Sequence, residues 1–234
     1  MSEKERKPNK VYDRLKKAIL YMEIKPGQAI GEVEIANQFG VSRTPVRDAF
    51  KKLEADGLLE IRSHIGTYVS FIDLEQIVDT IFMRENIEKA IIKSLAENPL
   101  GAHNIRIAYV LNAQQELLDS EISGQQLASK FMELDNEFHR LMFELAGRER
   151  VWGYLQQHRH HYDRFRIFIN NDDREKLTEV LKQHQNIAAF IKEKNTAGAI
   201  ELFEKHVYYN LMNSTEKIMA NKQYFKGFGD LQLR

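Results

Sequence analysis

Val41-Ser42-Arg43-Thr44-Pro45-Val46-Arg47-Asp48-Ala49-Phe50-Lys51-Lys52-Leu53-Glu54-Ala55-Asp56-Gly57-Leu58 is the stretch on which the fold turns. Val46, Ala49, Phe50 and Leu53 recur at the three- and four-residue spacing of a helix that buries one side, and Gly57 ends the pattern. Ser42 is a suitable N-cap, and Pro45 is tolerated in a first turn, where its missing amide proton has no helical acceptor to lose. Arg43, Arg47 and Lys51 stand at i, i+4 and i+8, so a stripe of cations runs beside the apolar one, with Thr44 near its start. Just upstream, Ile35, Ala36 and Phe39 mark a short helix over about 32–39, capped by Gly40. Only Gly40 and Val41 separate the two helices, so they are joined by a tight turn.

Working outward, Val11, Leu15, Ala18, Ile19 and Met22 predict a first helix that stops at Lys25-Pro26-Gly27. Downstream, Leu58 to Arg62 and Thr67 to Phe71 read as two short strands around Ser63-His64-Ile65-Gly66. Three helices and a hairpin make a winged helix. Its third helix would enter a major groove, where an arginine can donate two hydrogen bonds to a guanine edge and the helix N-terminal amides attract phosphate. A basic stripe by itself is often only a solvated helix face, and it is the surrounding turn and wing that favour DNA.

Zero cysteines exclude disulfides, thiolate metal sites and cysteine nucleophiles, so any metal here needs His and carboxylate ligands. No apolar run approaches the roughly 20 residues that span a bilayer. The polar opening Met1 to Lys10 lacks the apolar core of a secretory signal, from which a cytoplasmic location is expected. Net charge is zero, but residues 1–70 hold 13 Lys+Arg against 10 Asp+Glu, leaving 21 against 24 for the remainder. That weak bias suits phosphate at one end, although only clustering can decide. Two domains are expected from the length, 1–72 and 73–234.

From Asp73 onward strand-like alternation disappears. Helical patterns follow, with breaks near 98–101, 120–124, 147, 170–173 and 195–196, which predicts an all-helical bundle of six helices. Polar residues interrupt its buried stripes. Arg84, Glu85 and Glu88 fall in the middle of a stripe that begins at Leu74 and ends at Leu95. Asp135 and His139, one turn apart, share a face with Phe131, Phe138 and Met142. His184 lies in the stripe of Leu181 and Ile187, and His206 in that of Phe203 and Tyr209. These last two helices meet at a short turn around Asn195-Thr196, so an antiparallel pair would set His184 and His206 opposite each other. One carboxylate and three imidazoles suit a first-row divalent ion with positions left open. A lone inward histidine is usually just a hydrogen-bonded core residue; four groups with matching geometry are harder to explain that way. Arg84 beside such an ion would suit a small carboxylate, a sugar acid or small organic acid, unless it merely pairs with Glu88. Arg166, Arg159 and Asn210 are weaker pocket candidates. His158, His160 and His161 diverge around one helix and are expected at the surface.

The segment from Val41 to Leu58, with Pro26-Gly27 and the Gly66-Thr67-Tyr68-Val69 wing, resembles the GntR family of bacterial winged-helix regulators. The resemblance implies a homodimer on a short palindromic operator, with Ser42, Arg43, Thr44 and Arg47 at the DNA and Gly66 at the minor groove; the stripe adds Lys51. Val33 departs from it, standing where many relatives carry a basic or polar DNA contact. The later helices resemble the FCD ligand-binding domain of the FadR subfamily, in its six-helix VanR-like, metal-binding form. An Asp one helical turn before a His and two later His on the final helix pair match Asp135, His139, His184 and His206, and the Arg of its opening helix matches Arg84. Zinc first, or else nickel or manganese, is implied, as is repression relieved by ligand. Two rivals remain: a regulator that answers to metal alone, and a metallohydrolase. Against the latter, no HExxH, Gly-rich phosphate loop or serine elbow is present.

Overall fold

The second and third helices form where the apolar spacing puts them, whereas the first ends at Leu20 and leaves Met22 outside it with φ of 61°; the computed structural model of the chain describes residues 3–98, 101–157 and 159–226. Helix α1 (Glu3–Leu20) is followed by a two-residue strand β1 (Ala29–Ile30), then by α2 (Glu32–Phe39) and α3 (Arg43–Ala55). Gly40 takes the left-handed conformation that ends α2, with φ of 64°. Strands β2 (Leu59–Arg62) and β3 (Gly66–Val69) pair antiparallel, with Leu59 opposite Val69 and Arg62 opposite Gly66. Strand β1 adds to the other edge of β3, giving the order β1-β3-β2. Leu15, Ile19, Val46, Phe50, Leu53 and Leu58 form a closed core beneath the wing.

Gly27 shows how tightly this unit is drawn together. Its φ is +79°, its amide donates to the Val69 carbonyl at 2.8 Å, and a Cβ there would lie 2.9 Å from the Phe71 ring. Gly27→Ala should therefore lower the unfolding free energy by about 1–3 kcal/mol, the range for a strained left-handed residue. Urea unfolding followed by circular dichroism measures this, and an unchanged midpoint would contradict it.

The chain divides into two compact units, Met1–Leu74 with Asn221–Arg234, and Glu75–Ala220. Strand β4 (Ile72–Asp73) leads into α4 (Leu74–Glu97), and the second unit continues with α5 (Gly101–Asp119), α6 (Gly124–Leu145), α7 (Glu149–Gln156), α8 (His160–Asn170), α9 (Arg174–Lys192), α10 (Thr196–Met212) and α11 (Thr215–Ala220). Two of the six expected helical stretches are each interrupted once, between α7 and α8 and between α10 and α11. Inside this bundle α5 packs on α6 and α9, α6 on α8, and α9 on α10.

Apolar periodicity alone carries the helical domain to residue 234. Instead β5 (Phe225–Lys226) pairs in parallel with β4, Ile72 opposite Phe225 and Asp73 opposite Lys226. Phe225 is buried there, and Lys226 Nζ lies 3.4 Å from Asp73 Oδ2. Residues Asn221 to Lys226 thus belong with the first unit.

Candidate functional site

Helix α3 buries Val46, Ala49, Phe50 and Leu53 and leaves Ser42, Arg43, Thr44, Arg47 and Lys51 on its accessible side. The Arg43 and Arg47 side chains are 61% and 56% exposed, enough to reach a partner without rearranging the core. Arg47 donates from Nε and Nη2 to Glu32 at 3.1 Å each, and Arg43 Nη2 donates to the same carboxylate at 3.2 Å. Gly66 is exposed at the wing, where its φ of 152° disfavours any side chain. Val33 is 53% exposed, an apolar group on the accessible side of the helix-turn-helix.

Within the second unit, α6 brings Asp135 and His139, α9 brings His184 and α10 brings His206 to one buried point, and one ligand atom from each lies within 4.8 Å of all the others. The expected antiparallel pairing of α9 and α10 is the reason: it sets the His184 and His206 rings 4.7 Å apart. Phe138 stacks on His184 at 4.3 Å and closes that side to water.

Each imidazole is oriented from behind. His139 Nδ1 donates to Glu88 Oε2 at 2.5 Å, His184 Nδ1 to Gln114 Oε1 at 3.0 Å, and His206 Nδ1 to Gln183 Oε1 at 2.9 Å. Because each acceptor claims the Nδ1 proton, each Nε2 carries its lone pair. His139 Nε2 and His184 Nε2 are buried with no hydrogen-bond partner among the described residues. Burial, more than any neighbouring charge, pushes His184 down to about 3 and His206 well below its ordinary value, which keeps both rings neutral. Burial would raise Asp135, but the Arg166 guanidinium outweighs it and holds the group well below the usual carboxylate range. Neutral imidazoles beside an ionised carboxylate are the protonation state that a divalent cation requires. The donor set fits such an ion.

Arg84 pairs with Glu88, the alternative to a role in an effector pocket. Its Nε donates to Glu88 at 2.7 Å and Nη1 to Tyr162 Oη at 2.6 Å, while Nη2 is buried without a partner among the described residues. Arg166 donates to Asp135, to Asn136 Oδ1 at 2.5 Å and to Asp163 at 2.9 Å. Arg159 sits one layer further out, on Asp163 and Asn136. Asn210 lines a small cavity with Phe131, Asp135, Arg166, Asn170 and Val180, and its Oδ1 has no partner among the described residues.

His161 is not at the surface. Helix α8 is buried on nearly every side, and Arg164 Nη2 donates to His161 Nδ1 at 3.1 Å. His160 is half-buried, and His158 lies outside the described residues. Of the groups behind the histidines, Glu88 stands in a stripe the sequence marks as buried, whereas Gln114 and Gln183 are not among its candidates. Gln114 is fully buried in the stripe of Val110, Leu111, Leu117 and Leu118, and a glutamine there was the available signal.

A winged helix with an accessible basic reading helix, followed by a separate helical bundle with a buried polar centre, defines a two-part class of DNA-binding proteins. Residues 7–69 match the description "Bacterial regulatory proteins, gntR family", and residues 79–208 match the FCD domain. The chain belongs to the GntR family of transcriptional regulators, in its FCD-containing form. Over 197 residues it is 29% identical to the HTH-type transcriptional repressor RspR of Escherichia coli K12, covering 84% of each chain. It is 34% identical over 132 residues to the "Probable D-xylose utilization operon transcriptional repressor" of Paenarthrobacter nicotinovorans, covering 55% of this chain and 56% of that one. In fold it is similar to E. coli McbR/YncC, with a TM-score of 0.68 at 17% identity over 90% of this chain and 97% of that one. The family and these relatives regulate transcription and are not enzymes, which removes the metallohydrolase reading. No helix among the described residues is long and apolar enough to cross a membrane.

Proposed function

We propose that this chain is a homodimeric, cytoplasmic repressor whose affinity for a palindromic operator is set by a small carboxylate bound beside a divalent ion. The RspR and D-xylose operon relatives are named as repressors, which supports that sign of control. Asp135, His139, His184 and His206 would hold the ion, zinc first and nickel or manganese as alternatives. When bound, the ion supplies a Lewis-acidic anchor for one carboxylate oxygen. Arg84, Arg166 and Asn210 would take the remaining polar atoms of a sugar acid or small organic acid. Ser42, Arg43, Thr44, Arg47, Lys51 and Gly66 would contact the duplex. The observation that carries the reading is the set of imidazoles fixed from behind, with two buried Nε2 atoms and Arg84 Nη2 left without hydrogen-bond partners among the described residues, around one carboxylate.

Regulation by metal alone has its own support, because Arg84 and Arg166 are already engaged with Glu88 and Asp135. An effector can shift operator affinity only if it binds the two conformations unequally. Metal-loaded protein on a duplex selected from a random-sequence pool is therefore expected to dissociate when small hydroxycarboxylates are titrated in. Chelator-treated protein should respond at least about tenfold more weakly, the effect of losing one strong ligand contact. Release by metal without any acid would establish the second reading, and an equal response of the loaded and stripped proteins would remove the metal from the mechanism.

A further inference from the structure

The first side chain of α2 joins the two arginines of the reading helix. Glu32 accepts two hydrogen bonds from Arg47 and one from Arg43, and its own side chain is only 25% exposed. Pairs this accessible contribute little to folding, so holding the fold together is a weak reason for the arrangement. Its consequences for charge and geometry are larger. Two unpaired guanidinium groups would offer two positive charges to every phosphate they met, whatever the sequence. With Glu32 between them the trio carries one. The carboxylate also occupies the Nε and Nη2 edge of Arg47, so that the Nη1 end and the second Nη2 proton are its outward donors. Long side chains that would otherwise sample many rotamers are held at one end before any duplex arrives. Beside it, Val33 is exposed and has no hydrogen-bonding group to offer in its place.

We propose that Glu32 is a specificity-determining positioning residue, which weakens attraction to arbitrary DNA while presetting Arg43 and Arg47 for base edges. Selectivity is a difference between two affinities, and a carboxylate near the phosphates lowers the one that carries no information. The inference rests on the reading that Arg43 and Arg47 meet bases.

Glu32→Gln keeps the size of the side chain and removes its charge. Binding is measured by fluorescence anisotropy over a range of salt concentrations, on a duplex selected by the unsubstituted protein from a random pool and on a scrambled duplex of equal length. The variant should bind the scrambled duplex about 3–10-fold more tightly, with a salt dependence steeper by about one counterion. Its preference for the selected duplex should fall by about tenfold, the equivalent of one disturbed base contact. Glu32→Asp, which retains the charge on a shorter arm, should keep the weak scrambled binding and lose only part of the preference. Arg47→Ala is run alongside and should weaken binding to the selected duplex by at least about tenfold. An unchanged preference and salt slope in Glu32→Gln, with Arg47→Ala impaired, overturns the role of Glu32 alone. If Arg47→Ala binds normally, base reading by these arginines fails and the role of Glu32 fails with it.

Discussion

Replacing His184 by Ala is expected to reduce the metal content of the purified protein to less than about a tenth of that of the unsubstituted protein, because the proposed site of four protein ligands loses one of its three imidazoles. Three features make His184 the most damaging choice. It is fully buried, its Nδ1 proton is fixed on Gln114, and Phe138 stacks on its ring, so no neighbouring side chain can swing in as a substitute. Burial also keeps the ring neutral, and the coordinating lone pair needs no proton to leave first. Elemental analysis after dialysis against a weak chelator gives the measurement. His64→Ala is the control, since His64 sits at the exposed tip of the wing and should leave the metal content unchanged. Equal metal in wild type and His184→Ala would show that the ion, if any, is held elsewhere.

How far such a centre is legible in a sequence depends on whether its parts are linked locally. Asp135 and His139 are one helical turn apart, and His184 and His206 stand at matched distances from the short turn at Asn195 and Thr196, so helix geometry alone brings each pair to one side of the bundle. The groups that orient the rings are not local. Glu88 comes from α4 and Gln114 from α5, far from the rings they serve on α6 and α9, and only tertiary packing brings them near; Gln183 reaches His206 across the α9–α10 pair. A similar contrast holds in the first unit. The turn at Gly40 and the wing are written in residues a few positions apart. Strand β1 is two residues long and exists only by pairing with β3, and β5 meets β4 across some 150 residues of chain, where no periodicity can reach. The surface expected for His161 fails for a related reason: residues on nearly every side of α8 are covered, and His161 is among them.

Glu88 is where the fold and the proposed metal site depend on one side chain, and Glu88→Ala should lower the unfolding free energy by about 3–5 kcal/mol, as expected when one member of a buried ion pair is removed. Its carboxylate is fully buried and accepts from Arg84 Nε and His139 Nδ1. Burial works against its ionisation, yet Arg84 and His139 hold it at about 2, so it is charged throughout the ordinary pH range. Without it, the guanidinium of Arg84 stays buried with Tyr162 Oη as its remaining hydrogen-bond partner. A melting temperature lower by roughly 6–20 °C follows for a chain of this size. The source of the loss can be isolated with Arg84→Met, because a buried pair replaced by apolar groups of similar volume is often tolerated. The double variant Arg84→Met/Glu88→Ala should therefore regain much of the stability that Glu88→Ala loses. His139 will still lack the acceptor that fixes its proton on Nδ1, so the double variant should bind metal about 10–100-fold more weakly even where its stability recovers. Recovery of both properties would mean that Glu88 serves only to neutralise Arg84; recovery of neither would mean that its loss is felt through packing and not through an uncompensated charge.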